Sequence, residues 1–174
     1  MGCSVLSAPE PIAAVDVSFA LGSAISVACG FEKKGIAVIG DFALAHSGIL
    51  GLLNAATTGC NVLVLVLHNE VAAMTGGQTV PDLRKVVEAI TPDVSFFDID
   101  TDEERVPDKT GEVIDRGKVT YEVEKTTDRI GNDREAGNEI EYHILNTRLS
   151  ELIRTKLALP GLSVIFIKGK CRKY

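Results

Sequence analysis

Between Ile39 and Gln78 the chain reads as strand, helix, strand, and that order limits it to few folds. A short apolar run, Ile36 to Ile39, ends at Gly40 and Asp41. A helix-like segment follows from about His46 to Thr58. Asn61 to Leu67 is then almost wholly Val and Leu, and it stops at His68, Asn69 and Glu70. A near-continuous Val/Leu run of this length is the pattern of a parallel strand buried on both faces. Two such strands joined by a helix form an open parallel sheet, and ligands sit at the carboxyl edge of such sheets. The expected fold class is therefore α/β, a three-layer α/β/α arrangement around a central, mostly parallel sheet.

The polar groups at that edge suggest a chemistry. Adjacent parallel strands end side by side, so Asp41 and Asn69 can converge although 28 positions separate them. A carboxylate and an amide oxygen suit a hard cation such as Mg²⁺, which prefers oxygen ligands and shares them with phosphates. Gly40 lets backbone approach a ligand closely. The helix expected to start near His46 would aim free N–H groups at the same place, which favours an anion. Together these features point to a diphosphate held through Mg²⁺. The competing reading of Asp41 is a helix N-cap, and of His46 a cap in place of a diphosphate contact.

Gly40-Asp41 followed some thirty residues later by Asn69 resembles the thiamine diphosphate motif. More narrowly, the stretch is similar to the 2-oxoacid:ferredoxin oxidoreductases, and among them the indolepyruvate ferredoxin oxidoreductases. Gly40-Asp41, His46-Ser47-Gly48, Asn54-Ala55 and Ala73-Met74-Thr75-Gly76 with Gln78 carry that likeness, which runs from about Ala14 to Asp98 and returns near the C-terminus. The resemblance implies Asp41, Asn69 and the Val71 carbonyl as metal ligands. It implies Gly22, Ser23, Gly40, Asp41, His46, Ser47, Asn69, Thr75 and Gly76 as cofactor contacts. Gly22 and Ser23 would meet the aminopyrimidine ring, or serve only to cap a helix. Ala72 to Gln78 would wrap the diphosphate and thiazolium. His68 stands where relatives often carry Asp.

The resemblance also implies partners. Thiamine diphosphate attacks a 2-oxo carbon, and the protein supplies placement. The activating glutamate of the family lies in a pyrimidine-binding domain, so a second chain is expected and no catalytic residue is assigned here. Oxidation of the 2-oxoacid (an arylpyruvate such as indolepyruvate) with coenzyme A and ferredoxin is the leading reading. A non-oxidative decarboxylase subunit and a non-catalytic paralogue are the alternatives. The family's iron–sulfur cluster needs four thiolates. Gly2-Cys3 and Cys171 resemble two of the positions, but the C-x-x-C is absent, so no bound cluster is expected.

Length and charge set further limits. The 174 residues suit one domain with a sizeable core, and 45% apolar content argues against disorder. A net charge of −6 gives nucleic-acid binding no electrostatic support. No apolar run reaches membrane-span length and no basic leader precedes one, so a cytoplasmic protein is expected, and the second chain that the resemblance implies makes it an oligomer. Residues 101–142 hold 13 acidic and 7 basic residues, while the remainder holds 11 of each. This charged insertion reads as a solvated excursion or as a partner-binding arm. Arg116-Gly117 would turn a hairpin between Val113-Ile114 and Val119–Val123, and Gly131-Asn132 and Gly137-Asn138 mark further turns.

The other expected elements are a short strand at Ala13–Val17 and a helix from Leu21 to about Lys33. Lys33-Lys34-Gly35 would stop that helix. A helix then opens at Pro81 and carries Leu83, Val86, Val87 and Ile90, and Val94–Ile99 is a strand. A helix over Leu145–Leu157 shares one apolar face, and Leu162–Ile167 is the last strand. Cys29 and Cys60 read as small core residues, not a disulfide.

Overall fold

The computed structural model describes residues 9, 13–99, 103–107, 113–115 and 135–171, with side chains for 9, 13–99 and 147–171. Cys3, Arg116-Gly117, Val119–Val123 and Gly131-Asn132 lie outside the described residues. The elements run α1 (Ala24–Ala28), β1 (Gly35–Gly40), α2 (Asp41–Ala43), a π turn (Leu44–Gly48) and α3 (Ile49–Thr58). They continue with β2 (Val62–His68), β3 (Val71–Ala72), β4 (Gln78–Thr79), α4 (Arg84–Ile90) and β5 (Val94–Asp98). The last are β6 (Glu103–Pro107), β7 (Val113–Asp115), α5 (Glu135–Ala158) and β8 (Ser163–Lys168).

Six strands form one sheet in the order β1-β2-β8-β5-β6-β7. β1, β2, β8 and β5 are mutually parallel, whereas β6 and β7 add in antiparallel fashion. β8 pairs with both β2 and β5, so the last strand in sequence sits near the middle of the sheet. Its SVIFIK sequence is buried at five of six positions, as a strand covered on both faces requires. One face packs Ala37, Ile39, Val62, Val64, Val66, Val164 and Phe166 against Ile25, Leu52, Ala55 and Val87 of α1, α3 and α4. The other packs Leu63, Phe97, Ile165 and Ile167 against Leu149, Leu152, Ile153 and Leu157 of α5. The three-layer α/β/α arrangement is therefore as the pattern foretold.

Several local expectations change. Residues 13–17 form no strand, and Ala13 has a φ of 43°. α1 is five residues long rather than thirteen, because its apolar residues only loosely follow a helical period and Gly30 bonds back to Val27 in a tighter turn. Lys34 does not stop α1. Its ammonium donates to the carbonyls of Lys156 and Leu159 and to Ser163 Oγ, closing the end of α5, where a cation suits the helix dipole. Pro81 precedes α4 rather than opening it. Asp82 accepts the Arg84 N–H at 3.0 Å and grips its guanidinium.

Within the charged insertion, Val113–Asp115 pairs antiparallel with Glu103–Pro107, while the run expected to pair with it across Arg116-Gly117 lies outside the described residues. Gly137-Asn138 lies inside α5, not in a turn, and that helix starts ten residues before Leu145. Cys29 and Cys60 are half-buried against the core, as expected of small apolar residues, and burial pushes the Cys29 thiol up to about 12. No helix among the described residues is long and apolar enough to cross a membrane.

The Arg84 guanidinium holds the Asp82 carboxyl down at about 2. A depressed carboxyl stabilises the fold above its unfolded value of 3.8, and the contribution is lost as pH falls from there toward 2. Both side chains are largely exposed, so Asp82→Asn should cost at most about 1 kcal/mol at neutral pH. Chemical unfolding should show that difference closing as pH falls through this window.

Candidate functional site

The chain leaves β1 at Gly40 and enters a helix at once. Asp41 is its first residue, so the helix starts five residues before the expected position at His46. Gly40, with extended backbone, is the cap, and Asp41 is not. The helix then widens to a π turn over Leu44–Gly48, a deviation that tends to mark functional sites. Gly48 permits close packing there. A Cβ at Gly48 would stand 2.5 Å from Ile39 Cδ1. Ser47 Oγ donates to the Leu21 carbonyl at 2.9 Å and ties this turn to the loop before α1.

β2 ends beside β1, with Gly40 paired to Leu67, and Asp41 does meet Asn69. The contact is through backbone. Asp41 Oδ2 accepts the N–H of Asn69 at 3.0 Å and of Glu70 at 2.7 Å. Oδ1 accepts the Phe42 N–H at 2.7 Å. His68 Nδ1 stands 3.2 Å from Oδ2. Burial pushes the Asp41 carboxyl up, but His68 and the N–H groups of Glu70 and Phe42 outweigh it and hold it below the usual range. The carboxylate thus fastens the end of β1 to the bend after β2, where Glu70 takes a φ of 64°. Sequence reasoning missed this binding of distant N–H groups, which no local spacing signals.

Asn69 Oδ1 accepts the Val71 N–H at 3.1 Å, and the Val71 carbonyl accepts that of Ala73 at 3.0 Å. β3 and β4 make a small hairpin whose tip is Ala73–Gly77. Thr75 Oγ1 donates to Gln78 Oε1 at 2.9 Å, and Gln78 Nε2 donates back to the Thr75 carbonyl at 2.8 Å. Gly76 has a φ of 120°, a conformation that other residues rarely adopt. The loop therefore holds its own shape.

A cavity of about 430 Å³ opens between this hairpin and the end of β1. Gly40, Asp41, Asn69, Val71 and Thr75 line it, with Phe19, Phe42 and Met74 among its apolar walls. A Cβ added at Gly40 would meet no protein atom within 4 Å. Nothing in the chain itself requires glycine there, so the free space faces the cavity. The candidate oxygens each carry one or more hydrogen bonds from the chain, yet Asp41 Oδ1 and Asn69 Oδ1 each carry only one and keep a lone pair. Oxygen donors of this kind at the wall of a large hollow fit Mg²⁺ and a diphosphate.

The remaining expected contacts are elsewhere. Gly22, Ser23 and Ser47 line a neighbouring, more open cleft with Asn54. Ser23 Oγ donates to the Ala20 carbonyl and caps no helical N–H. His46 lines neither hollow. Its Nδ1 lies 3.1 Å from Ser47 Oγ and its ring packs near Phe42. The structure therefore groups Gly40, Asp41, Asn69, Val71 and Thr75, sets Gly22, Ser23 and Ser47 next door, and leaves His46 and Gly76 outside both linings.

Comparison with known proteins identifies the family. The family profile described as "Thiamine pyrophosphate enzyme, C-terminal TPP binding domain" matches residues 2–102. The chain belongs to this family. The residues that line its carboxyl-edge cavity, from Phe19 to Thr75, all lie within the matched span. The chain is 36% identical over 87 residues to indolepyruvate oxidoreductase subunit IorA of Methanothermobacter marburgensis, covering 48% of this chain and 14% of that protein. It is 37% identical over 99 residues to the subunit of the same name from Pyrococcus horikoshii, covering 47% of this chain and 15% of that one. It thus spans about a seventh of the length of these curated relatives. Among solved structures, 2-oxoglutarate:ferredoxin oxidoreductase from Magnetococcus marinus shares the fold, with a TM-score of 0.55 at 14% identity, over 88% of this chain and 47% of that one.

Proposed function

We propose that this thiamine diphosphate-binding domain serves a 2-oxoacid:ferredoxin oxidoreductase, acting on an arylpyruvate such as indolepyruvate. Residues 1–174 work as one domain in this reading, and the charged stretch 101–142 is an insertion within it. Asp41, Asn69 and the Val71 carbonyl would hold Mg²⁺, and Gly40 would admit the diphosphate. Thr75 and Gly76 would border the thiazolium, while Gly22, Ser23 and Ser47 would face the aminopyrimidine. His46, lining neither hollow, is proposed as a contact only through Ser47. Bound thiamine diphosphate supplies the nucleophilic carbon that adds to a 2-oxo group.

The chain's own part is placement. Asp41 fixes the corner between β1 and β2, the hairpin tip walls the cavity, and Phe19, Phe42 and Met74 keep its sides apolar. The observation that carries the reading is the open space over Gly40 beside the oxygens of Asp41 and Asn69. No glutamate among the described residues lines this cavity. The activating carboxylate is accordingly assigned to a partner subunit with a pyrimidine-binding domain, and coenzyme A and ferredoxin are the proposed acceptors. The likeness to indolepyruvate oxidoreductase subunits favours the oxidative reaction over simple decarboxylation.

The test is reconstitution. This chain, mixed with a pyrimidine-domain subunit, thiamine diphosphate, Mg²⁺, coenzyme A and indolepyruvate, should reduce ferredoxin, and neither chain alone should do so. Release of CO₂ without ferredoxin reduction would favour the non-oxidative reaction. Absence of both would remove the enzymatic reading.

A further inference from the structure

Two of the chain's four cysteines come together at the amino edge of the sheet, the end away from the large cavity. α1 ends at its cap, Cys29, and α3 ends at Gly59, with Cys60 next in the chain. β1 and β2 then start side by side, with Gly35 paired to Val62. The fit there is close. The Gly35 N–H donates to the Asn61 carbonyl at 3.1 Å, and a Cβ on Gly35 would lie 2.3 Å from the Ala28 carbonyl oxygen. The chain neighbours of Cys29 and of Cys60 thus flank one glycine. Along the same two helices, Gly51 of α3 lets α1 approach, since a Cβ there would stand 3.0 Å from Ser26 Oγ.

The two side chains meet within this packing. Both are half-buried against the same core cluster, and both are free thiols. Burial, and then the hydrogen bond with Cys60, push the Cys29 thiol up to about 12. The same bond with Cys29 holds the Cys60 thiol below its usual value. Cys60 Sγ also lies 3.2 Å from Thr58 Oγ1. Cys29 is therefore the partner that keeps its proton, and Cys60 the one that reaches the thiolate first. The thiolate is the attacking species in thiol–disulfide exchange.

We propose that Cys29 and Cys60 are a redox-active pair, closed to an intramolecular disulfide by a small disulfide oxidant of the glutathione type. The Cys60 thiolate attacks one sulfur of the oxidant. The oxidant's S–S bond breaks, and its other half leaves as a thiolate that takes up the proton Cys60 released. Cys29 then loses its proton, attacks Cys60 Sγ in the mixed disulfide and expels the second half as a thiol. Two protein thiols are oxidised by two electrons, and one small disulfide is reduced to two thiols. Excess small thiol runs the sequence backwards. The new bond fastens the end of α1 to the end of α3. Ser26 of α1 and Gly51 and Asn54 of α3 line the open cleft with Gly22 and Ser23, so the bond also fixes the two walls of that cleft.

The test needs neither thiamine diphosphate nor Mg²⁺, so it stands or fails apart from the diphosphate reading. The full chain is brought to equilibrium with glutathione disulfide in excess, and its peptides are mapped by mass spectrometry without reduction. A peptide pair joined through Cys29 and Cys60, and lost on adding reduced glutathione, is expected. Cys29→Ser should stop at glutathione bound to Cys60. In Cys60→Ser, Cys29 should take up glutathione at least ~tenfold more slowly than Cys60 does in Cys29→Ser. Separate thiols or separate glutathione adducts at the two positions of the unaltered chain would overturn the proposal, as would a bond from either to Cys3 or Cys171. Equal rates in the two variants would overturn the order of attack. If a variant fails to fold, the peptide map of the unaltered chain decides alone.

Discussion

Asp41→Ala should destabilise the chain by about 3 kcal/mol even with no ligand present. The carboxylate is buried and accepts backbone N–H groups from Phe42, Asn69 and Glu70. Alanine leaves all three without an acceptor, at about 1–3 kcal/mol for each one that water cannot reach. Water entering from the cavity should recover part of this, since Asp41 lines it. For a chain of this size the loss corresponds to a fall in Tm of roughly 6–12 °C. Asp41→Asn, which retains an oxygen acceptor but not the charge, should lose less. Calorimetric unfolding of the three proteins would check the order. Equal melting temperatures would mean that the bonds to the β2 end carry no stability.

Gly22→Ala should have an effect of similar size for a different reason. Gly22 has a φ of 83°, and a Cβ there would lie 2.0 Å from Ser47 Oγ and 2.8 Å from the Gly48 nitrogen. A left-handed backbone costs a non-glycine residue about 1–2 kcal/mol, and the overlap forces the π turn away from the loop before α1. A total of about 3 kcal/mol is expected. Gly59→Ala separates the two contributions. Gly59 also has positive φ, at 67°, but a Cβ there meets nothing within 4 Å. It should cost only about 1 kcal/mol. Combining Gly22→Ala with Ser47→Ala removes the nearest clashing atom and should recover part of the loss, as a double-mutant cycle in urea would show.

These two residues show what the sequence made legible and what it concealed. β2 was readable because a strand buried on both faces is apolar at nearly every position, and β1, though Ile36 and Val38 on its other face are exposed, is apolar throughout; Asp41 and Asn69 stand where those runs end. The edge that gathers ligands followed from that order alone. The role of Asp41 was not legible, because its backbone donors at Asn69 and Glu70 lie 28 and 29 residues away and any residue type supplies an N–H. Gly22 read as a helix start. Its need for glycine comes from Ser47, which only the packed structure brings alongside. Lys34 shows the same limit, since the helix end it closes is more than 120 residues further on. The start of α5 was missed because Gly137 and Asn138 look like turn residues and the segment before Leu145 is strongly charged. His68 was read as a departure from its relatives. A small hollow that it lines depends on Phe96 and Phe166, from strands distant in sequence.

The corner where β1 and β2 end is most directly tested by titrating thiamine diphosphate into the full chain by calorimetry, with Mg²⁺ and with EDTA. The cation and the diphosphate should be required together. Saturable binding is expected only with Mg²⁺, thiamine without the diphosphate should not bind, and Asn69→Ala should weaken the interaction by at least ~tenfold. Equal binding in EDTA, or an Asn69→Ala variant that binds as tightly as the unaltered chain, would contradict the assignment of that corner to a cation-bridged diphosphate.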